Sequence, residues 1–135
     1  MPRTERLNAL EPYFLATLRI VAGLIFMAHG TQKFLSFPAG DYAGAGLALD
    51  SLPAFAGLIE LAGGFLIAIG LFTRPAAFLA SGTMAVAYWY AHAPQNFFPV
   101  NNGGDAAILY CFVFLYLVFA GPGAWSIDGR RRQPS

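Results

Sequence analysis

Apolar residues along the chain are grouped into four long runs, separated by short segments rich in glycine, proline and charged residues. A helix needs about twenty mostly apolar residues to cross the roughly 30 Å hydrocarbon core of a bilayer. Four windows meet this requirement, at about residues 13–35, 53–72, 75–93 and 105–120. The pattern therefore predicts an all-α integral membrane protein, a four-helix bundle that forms a single domain over residues 1–135.

Proline and glycine mark the ends of the predicted spans. Pro53 and Pro75 fall where a helix can begin without losing a needed hydrogen bond. Because only Thr73 and Arg74 separate the second window from Pro75, we expect the second and third helices to form an antiparallel hairpin. The fourth span should end at Gly121, where a Gly-Pro-Gly sequence stops any helix. Segments 36–52 and 94–104 then form the loops at the other end, and the first has room for a short interfacial helix.

The composition supports a membrane location and excludes several classes of protein. Hydrophobic residues make up 57% of the chain and charged residues only 11%, whereas soluble domains are about a quarter charged. A formal net charge of +1 offers no basic surface to nucleic acid. One cysteine excludes an internal disulfide and a cysteine-rich metal site, and we predict no bound metal.

The basic residues predict the orientation, because cytoplasmic loops of membrane proteins are enriched in lysine and arginine. With an even number of crossings, one side receives Arg3, Arg6, Arg74, Arg130, Arg131 and Arg132. The other side receives only Lys33. We therefore expect both termini to face the cytoplasm, in the inner membrane of a bacterium. The first span is too long and too polar for a signal peptide, so we expect it to be retained.

Ionisable residues inside the spans are costly unless they are paired or hydrated. At about 1.5 Å per residue, Glu60 lies about 10 Å below the outer boundary and level with His29. Lys33 lies one turn further out on the same face as His29. His92 ends the third span at the outer boundary, and Asp105 begins the fourth there. We therefore expect ionisable groups from all four helices to converge in the outward half of the bundle.

Glu60 is the strongest functional candidate, because its short side chain cannot reach the boundary from that depth. We expect it to form a salt bridge with Lys33, to hydrogen-bond with His29 or to be protonated. Holding helices together is the alternative role for this group. Lys33 and Asp105 are explained equally well as anchors of helix ends near the headgroups. His92 taken alone fits an interfacial position better than a ligand.

Other features favour structural roles. Arg19 lies near the cytoplasmic boundary, where we expect it to snorkel or to bond to Ser81 and neighbouring carbonyls. Tyr88 fits an interfacial aromatic belt better than a ring stacked on a ligand. Small residues permit close approach of helices in lipid, and this role is expected for Gly23, Gly30, Gly57, Gly63, Gly64 and Gly70.

Together these residues resemble the DoxX family, small four-helix membrane proteins grouped with the small subunit of thiosulfate:quinone oxidoreductase. The resemblance extends from about Leu18 to Gly129. Its segments are the Arg19 helix with His29-Gly30-x-x-Lys33-Phe34, then Glu60-x-x-Gly63-Gly64, Gly70-Leu71-Phe72-Thr73-Arg74, Asn102-Gly103-Gly104-Asp105-x-x-x-Leu109-Tyr110 and Gly121-Pro122-Gly123-x-x-Ser126-x-Asp128. Asp105 departs from the family pattern, which has glutamate there, and its reach is one methylene shorter.

The resemblance implies a membrane oxidoreductase, or a subunit of one, that passes electrons to quinone from an outward-facing donor such as thiosulfate. The resemblance also implies quinone as the cofactor. The sequence contains no flavin, nucleotide or iron–sulfur motif, so any other electron carrier must belong to a partner protein or be an unrecognised cofactor. Acid–base chemistry is the expected role of the carboxyl and imidazole groups. The predicted catalytic residues are Glu60, His29 and Lys33. The predicted substrate-binding residues are Lys33, His92, Asp105 and Tyr88.

Three other functions stay open at this stage. The chain could be a non-catalytic scaffold or assembly partner of a redox complex, with the polar cluster holding its helices together. A transporter of a small anion or amphiphile is less well supported, because the sequence has no inverted repeat or broken span. Bis-histidine haem is disfavoured because His29 and His92 lie at different depths. The expected partners are the lipid bilayer, a redox protein and further copies of the chain, but not nucleic acid.

Overall fold

The computed structural model describes residues 2–40 and 48–132, and all regular secondary structure in that part of the chain is helical. The helices are α1 (Arg3–Leu35), α2 (Leu52–Ile69), α3 (Thr73–Ala87), α4 (Pro99–Asn102), α5 (Asp105–Ala120) and α6 (Ile127–Arg132). A π-helical turn at Tyr88–His92 and a 3₁₀ turn at Ala93–Gln95 extend α3. The all-α prediction is confirmed. Residues 41–47 lie outside the described residues, so the short interfacial helix expected in segment 36–52 stays a prediction.

Each predicted span coincides with a helix, although several ends differ. α5 has the predicted ends, and α1 begins ten residues before the predicted position. Residues 3–11 are rich in arginine, glutamate, leucine and alanine, which favour helix without being uniformly apolar. On length and composition, α1 and α2 can cross a membrane, whereas α5 is apolar but shorter. The number of crossings and the orientation of the termini stay predictions.

Paired glycines hold α1 close against α2. A Cβ atom added to Gly23 would lie 2.9 Å from the backbone nitrogen of Ala68, and one added to Gly64 would lie 2.8 Å from the carbonyl oxygen of Gly23. The contact repeats seven residues later on α1 and seven residues earlier on α2, where a Cβ on Gly30 would lie 2.8 Å from the carbonyl oxygen of Gly57. These separations leave no room for a side chain, so the glycines serve helix packing as predicted.

Along the rest of the molecule, α3 packs against α5, and α2 contacts α3. The α2–α3 connection at residues 70–72 and the C-terminal segment 121–132 form one end of the molecule, here called the hairpin end. Residues 88–104, with the start of α2, form the opposite end, here called the loop end. Gly70 ends α2 with φ +71°, and its missing side chain leaves room for Arg19 and Ser126.

Arg19 joins the helices at the hairpin end. Its guanidinium is fully buried and donates hydrogen bonds of 2.8–3.2 Å to the carbonyl oxygens of Ile67, Ala68, Ala124 and Trp125. The prediction that Arg19 snorkels is therefore wrong, whereas the alternative expectation of bonds to carbonyl oxygens agrees with the structure. Carbonyl oxygens at the end of a helix have lone pairs that a guanidinium can satisfy. The predicted pairing of Arg19 with Ser81 is also wrong, since Ser81 faces α5 and donates to the carbonyl oxygen of Cys111 at 2.7 Å.

Two more charged residues bond to helix ends there. The carboxylate of Asp128 accepts hydrogen bonds of 2.9 Å from the backbone N–H groups of Phe72 and Thr73, at the start of α3. Arg74 donates to the carbonyl oxygens of Val118 and Phe119, near the end of α5, at 2.6 and 2.8 Å. Each charge has the sign that the adjacent helix end favours. Hydrogen bonds between charged side chains and backbone groups therefore stabilise the hairpin end.

Candidate functional site

An ion pair between α1 and α2 lies at the centre of the candidate site. Lys33 Nζ is 2.8 Å from Glu60 Oε1. The Glu60 residue is only 4% exposed, whereas the side chain of Lys33 is 25% exposed. Gly57, one turn from Glu60, makes room for the stem of Lys33, because a Cβ there would lie 3.2 Å from Lys33 Cδ. Of the three states considered for Glu60, the structure shows the salt bridge.

The second carboxylate oxygen, Glu60 Oε2, is buried and has no hydrogen-bond partner among the described residues. A buried acceptor left in this way costs free energy that a donor would recover. His29 does not supply that donor, because no hydrogen bond joins it to Glu60 in the described part of the chain. Instead, the imidazole meets the ring of Tyr110 edge-on, with centroids 6.0 Å apart.

A cavity of about 870 Å³ lies beside the ion pair, between α1, α2, α3 and α5. Its volume falls within the range of about 300–1,000 Å³ that is typical of small-molecule sites. Most of the lining is apolar, and the ionisable side chains on it are those of Lys33, Glu60, His29, His92, Tyr90 and Tyr110. The cavity therefore brings together all three predicted catalytic residues and one further predicted substrate ligand.

The cavity opens between α2 and α3. These helices are joined at the hairpin end, and the residues that line the cavity come from their far halves, 52–60 and 78–92. Its rim carries exposed apolar side chains, among them Phe55 on α2 and Phe78, Leu79 and Val86 on α3. The opening is therefore bordered by apolar surface, whereas the charged pair lies inside on the α1–α2 wall.

His92 lies where the cavity approaches the loop end. Its Nδ1 is 3.1 Å from the carbonyl oxygen of Asn102. Because a carbonyl oxygen only accepts hydrogen bonds, Nδ1 carries the proton in this arrangement and Nε2 is left as an acceptor. Among the described residues, no group of three histidine, cysteine or carboxylate side chains gathers in a way that suits a metal ion.

The other two predicted ligands lie outside the cavity lining. Asp105 is exposed in the first turn of α5. The Tyr88 hydroxyl accepts a hydrogen bond of 3.2 Å from Asn102 Nδ2, and its ring packs closely on Gly104. Their roles in substrate binding stay predictions, but the contacts give Tyr88 a structural task at the loop end.

Sequence reasoning missed two residues of this region. Asn102 is buried and organises the loop end, since it also donates to the carbonyl oxygen of Asn96 and accepts from the backbone N–H of Gly104. Tyr110 lines the cavity and contacts His29. Both belong to the segment Asn102-Gly103-Gly104-Asp105-x-x-x-Leu109-Tyr110. This segment contributes to the family resemblance, but sequence reasoning assigned no role to either residue.

Comparisons with known proteins identify the family of this chain. Residues 14–93 match the DoxX family. An uncharacterized protein of Haemophilus influenzae is 47% identical, over 93% of this chain and 96% of its own length. An uncharacterized membrane protein of Mycobacterium tuberculosis is 30% identical, over 92% and 85% of the two chains. The inner membrane protein YphA of Escherichia coli is 32% identical, over 91% and 94%. No solved structure matches. The chain belongs to the DoxX family of membrane proteins.

Proposed function

We propose that the protein is a membrane oxidoreductase, or the quinone-binding subunit of one, that passes electrons from a donor outside the cytoplasm to quinone. The observation that carries the proposal is a cavity of about 870 Å³ that has a buried Lys33–Glu60 pair inside and an apolar opening between α2 and α3. A site of this kind suits a ligand that arrives from lipid and has a polar headgroup.

The proposal includes a topology. α1, α2, α5 and α3 with its π-helical extension each cross the bilayer. The arginines of the hairpin end support a cytoplasmic location for both termini. The loop end then faces the periplasm, and the ion pair lies within the outward half of the membrane. Lys33 and His92 lie on the route from the loop end, where a positive side chain attracts an anionic donor.

The cavity residues fit a quinone headgroup. Lys33 has three N–H donors, of which Glu60 occupies one, so the ammonium can donate to a carbonyl oxygen of the ring. Tyr110 and Phe26 give the cavity an aromatic wall. When bound, quinone takes up two electrons and two protons, and oxidation of two thiosulfate ions to one tetrathionate ion supplies those electrons.

The residues of the ion pair then have distinct tasks. Glu60 Oε1 holds the Lys33 ammonium in place, and Lys33 orients the headgroup. His29 borders the same cavity, and an imidazole ring can both accept and donate a proton. With Glu60 Oε2, it provides a place to hold protons beside the ring. The donor binds at the loop end, and its electrons pass to the quinone in the cavity. The mechanism involves no covalent bond between the donor and the protein.

Turnover by the purified protein in lipid nanodiscs tests the proposal. Quinone reduction with thiosulfate is measured for the wild type, Glu60→Gln and Glu11→Gln. The control changes the same side chain on the exposed hairpin-end part of α1, outside the cavity. We expect Glu60→Gln to reduce turnover at least tenfold and Glu11→Gln to leave it unchanged. Equal turnover of all three proteins would remove Glu60 from the mechanism.

A non-catalytic scaffold for a redox partner is the second candidate, because the Lys33–Glu60 pair also bonds α1 to α2. In that case the isolated chain has no turnover and co-purifies with a stoichiometric partner. Glu60→Gln would then lower thermal stability or partner recovery. The two functions are separated by the wild-type turnover measurement alone.

A further inference from the structure

The opening between α2 and α3 has a gap in its side chains at Gly82. Glu60 lies nine residues before Ile69, where α2 ends, and Gly82 lies nine residues after Thr73, where α3 begins. Because the helices run antiparallel from the hairpin, both residues lie about 14 Å from it along the helix axes. Gly82 therefore lies on the rim of the cavity at the level of Glu60.

No packing contact explains a glycine at this position. A Cβ atom added to Gly82 meets no heavy atom of the described residues within 4 Å, in contrast to Gly23 and Gly64, where it would collide with the facing backbone. Glycine inside a helix costs about 1 kcal/mol relative to alanine. Gly82 carries this cost without bringing another helix closer, and the observable consequence is a notch in the rim.

The notch has the surroundings that an apolar chain prefers. Phe78, Leu79 and Val86 flank it on α3, and Phe55 lies on the α2 side; all four are exposed. At the level of Glu60, well inside α2, the surrounding medium is hydrocarbon in the proposed topology. Toward the loop end, by contrast, the lining of the cavity includes the polar side chains of Gln32 and His92.

We propose that the notch at Gly82 is the passage through which the isoprenoid tail of the bound ligand leaves the cavity for the bilayer. Gly82 is then a specificity-determining residue, because it admits ligands with a long apolar tail while the headgroup remains beside Lys33 and Glu60. This inference rests on the proposed function and adds the class of ligand, a tailed quinone, and its route.

Binding of two naphthoquinones that differ only in the tail tests the passage. One is 2-methyl-1,4-naphthoquinone, and the other is the same ring with four isoprene units. Affinities are measured in lipid nanodiscs for the wild type, Gly82→Phe, Gly82→Ala and Ala62→Phe. Ala62 is exposed on α2 and lines neither this cavity nor the groove between α1 and α5, so it is a matched control for the added ring.

We expect Gly82→Phe to weaken binding of the tailed quinone at least tenfold and of the tail-free quinone less than threefold. Gly82→Ala and Ala62→Phe should leave both affinities unchanged. Equal losses for the two ligands, or no loss for either, would overturn the passage while leaving quinone binding established. If neither ligand binds the wild type, the proposed function fails, and the passage fails with it. Thermal melting of each variant verifies folding, which the open space at Gly82 should preserve.

Discussion

Removal of Lys33 should destabilise the protein more than removal of the charge on Glu60, although the two groups form one ion pair. Lys33→Met keeps the length of the side chain but leaves a carboxylate that is 4% exposed. Its Oε1 then loses the Lys33 hydrogen bond, and Oε2 has no partner among the described residues. Leaving one member of a buried ion pair unpaired costs about 3–5 kcal/mol.

Glu60→Gln should cost less, at most about 1.5–3 kcal/mol, which is the contribution of one hydrogen bond to a charged group. The Lys33 side chain is 25% exposed and lies in the last turn of α1. Its ammonium can therefore extend toward the loop end and recover hydration. The amide of glutamine also remains able to accept a hydrogen bond from Lys33.

The double variant Lys33→Met/Glu60→Gln isolates the buried charge. It contains no unpaired carboxylate, so it should be more stable than Lys33→Met alone, even though it carries one more substitution. The free energy of unfolding is measured by denaturant titration in mixed micelles for the four proteins of this cycle. The reasoning is refuted if Glu60→Gln costs as much as Lys33→Met, or if the second substitution lowers stability further.

Three further predictions concern the helix contacts, each checked by thermal unfolding in detergent. Arg19→Met should cost at least about 3 kcal/mol, because four carbonyl oxygens lose their donor, and Arg19→Lys should restore only part of it. Gly64→Val should cost about 1–3 kcal/mol or more by forcing α1 off the carbonyl of Gly23, whereas Gly82→Val should be nearly neutral. Asp128→Asn should cost at least about 1 kcal/mol, because the amide oxygen can accept only one of the two hydrogen bonds at the start of α3 and its NH₂ group faces the other N–H. Unchanged melting of Arg19→Met, Gly64→Val or Asp128→Asn would contradict the corresponding contact.

Helix positions were predictable because their signals are local. Hydrophobic runs bounded by Gly121 and Pro53 predict both ends of α5 and, within one residue, the start of α2, which ends three residues before the predicted position. The early start of α1 was missed, because residues 3–11 form helix through propensity and not through hydropathy. The partners of Arg19 were missed for another reason. They lie 48 to 106 positions away in sequence, and no periodic pattern indicates which carbonyls a buried guanidinium will reach.

The candidate site was predictable in depth but not in rotation about the helix axes. The fixed rise of an α-helix correctly brings Glu60 level with the last turns of α1, where Lys33 lies. It does not determine which side chains face a common cavity. A π-helical turn extends from Tyr88 to His92. Its wider winding changes which of these residues share a face with the preceding turns of α3. Tyr110, on a regular helix, faces the cavity instead.

The segments that carry the family resemblance divide between the two ends of the molecule, and this division suits a ligand that enters from the side. Arg19, Arg74 and Asp128 bond to backbone groups at the hairpin end, and the carbonyl and N–H groups described above belong to residues outside the cavity lining. Lys33 and Glu60 act in the other half. Because the hairpin end secures α2 and α3 without help from the cavity, these helices can diverge toward the loop end. A notch between them then costs little stability, which is the condition for a passage open to lipid.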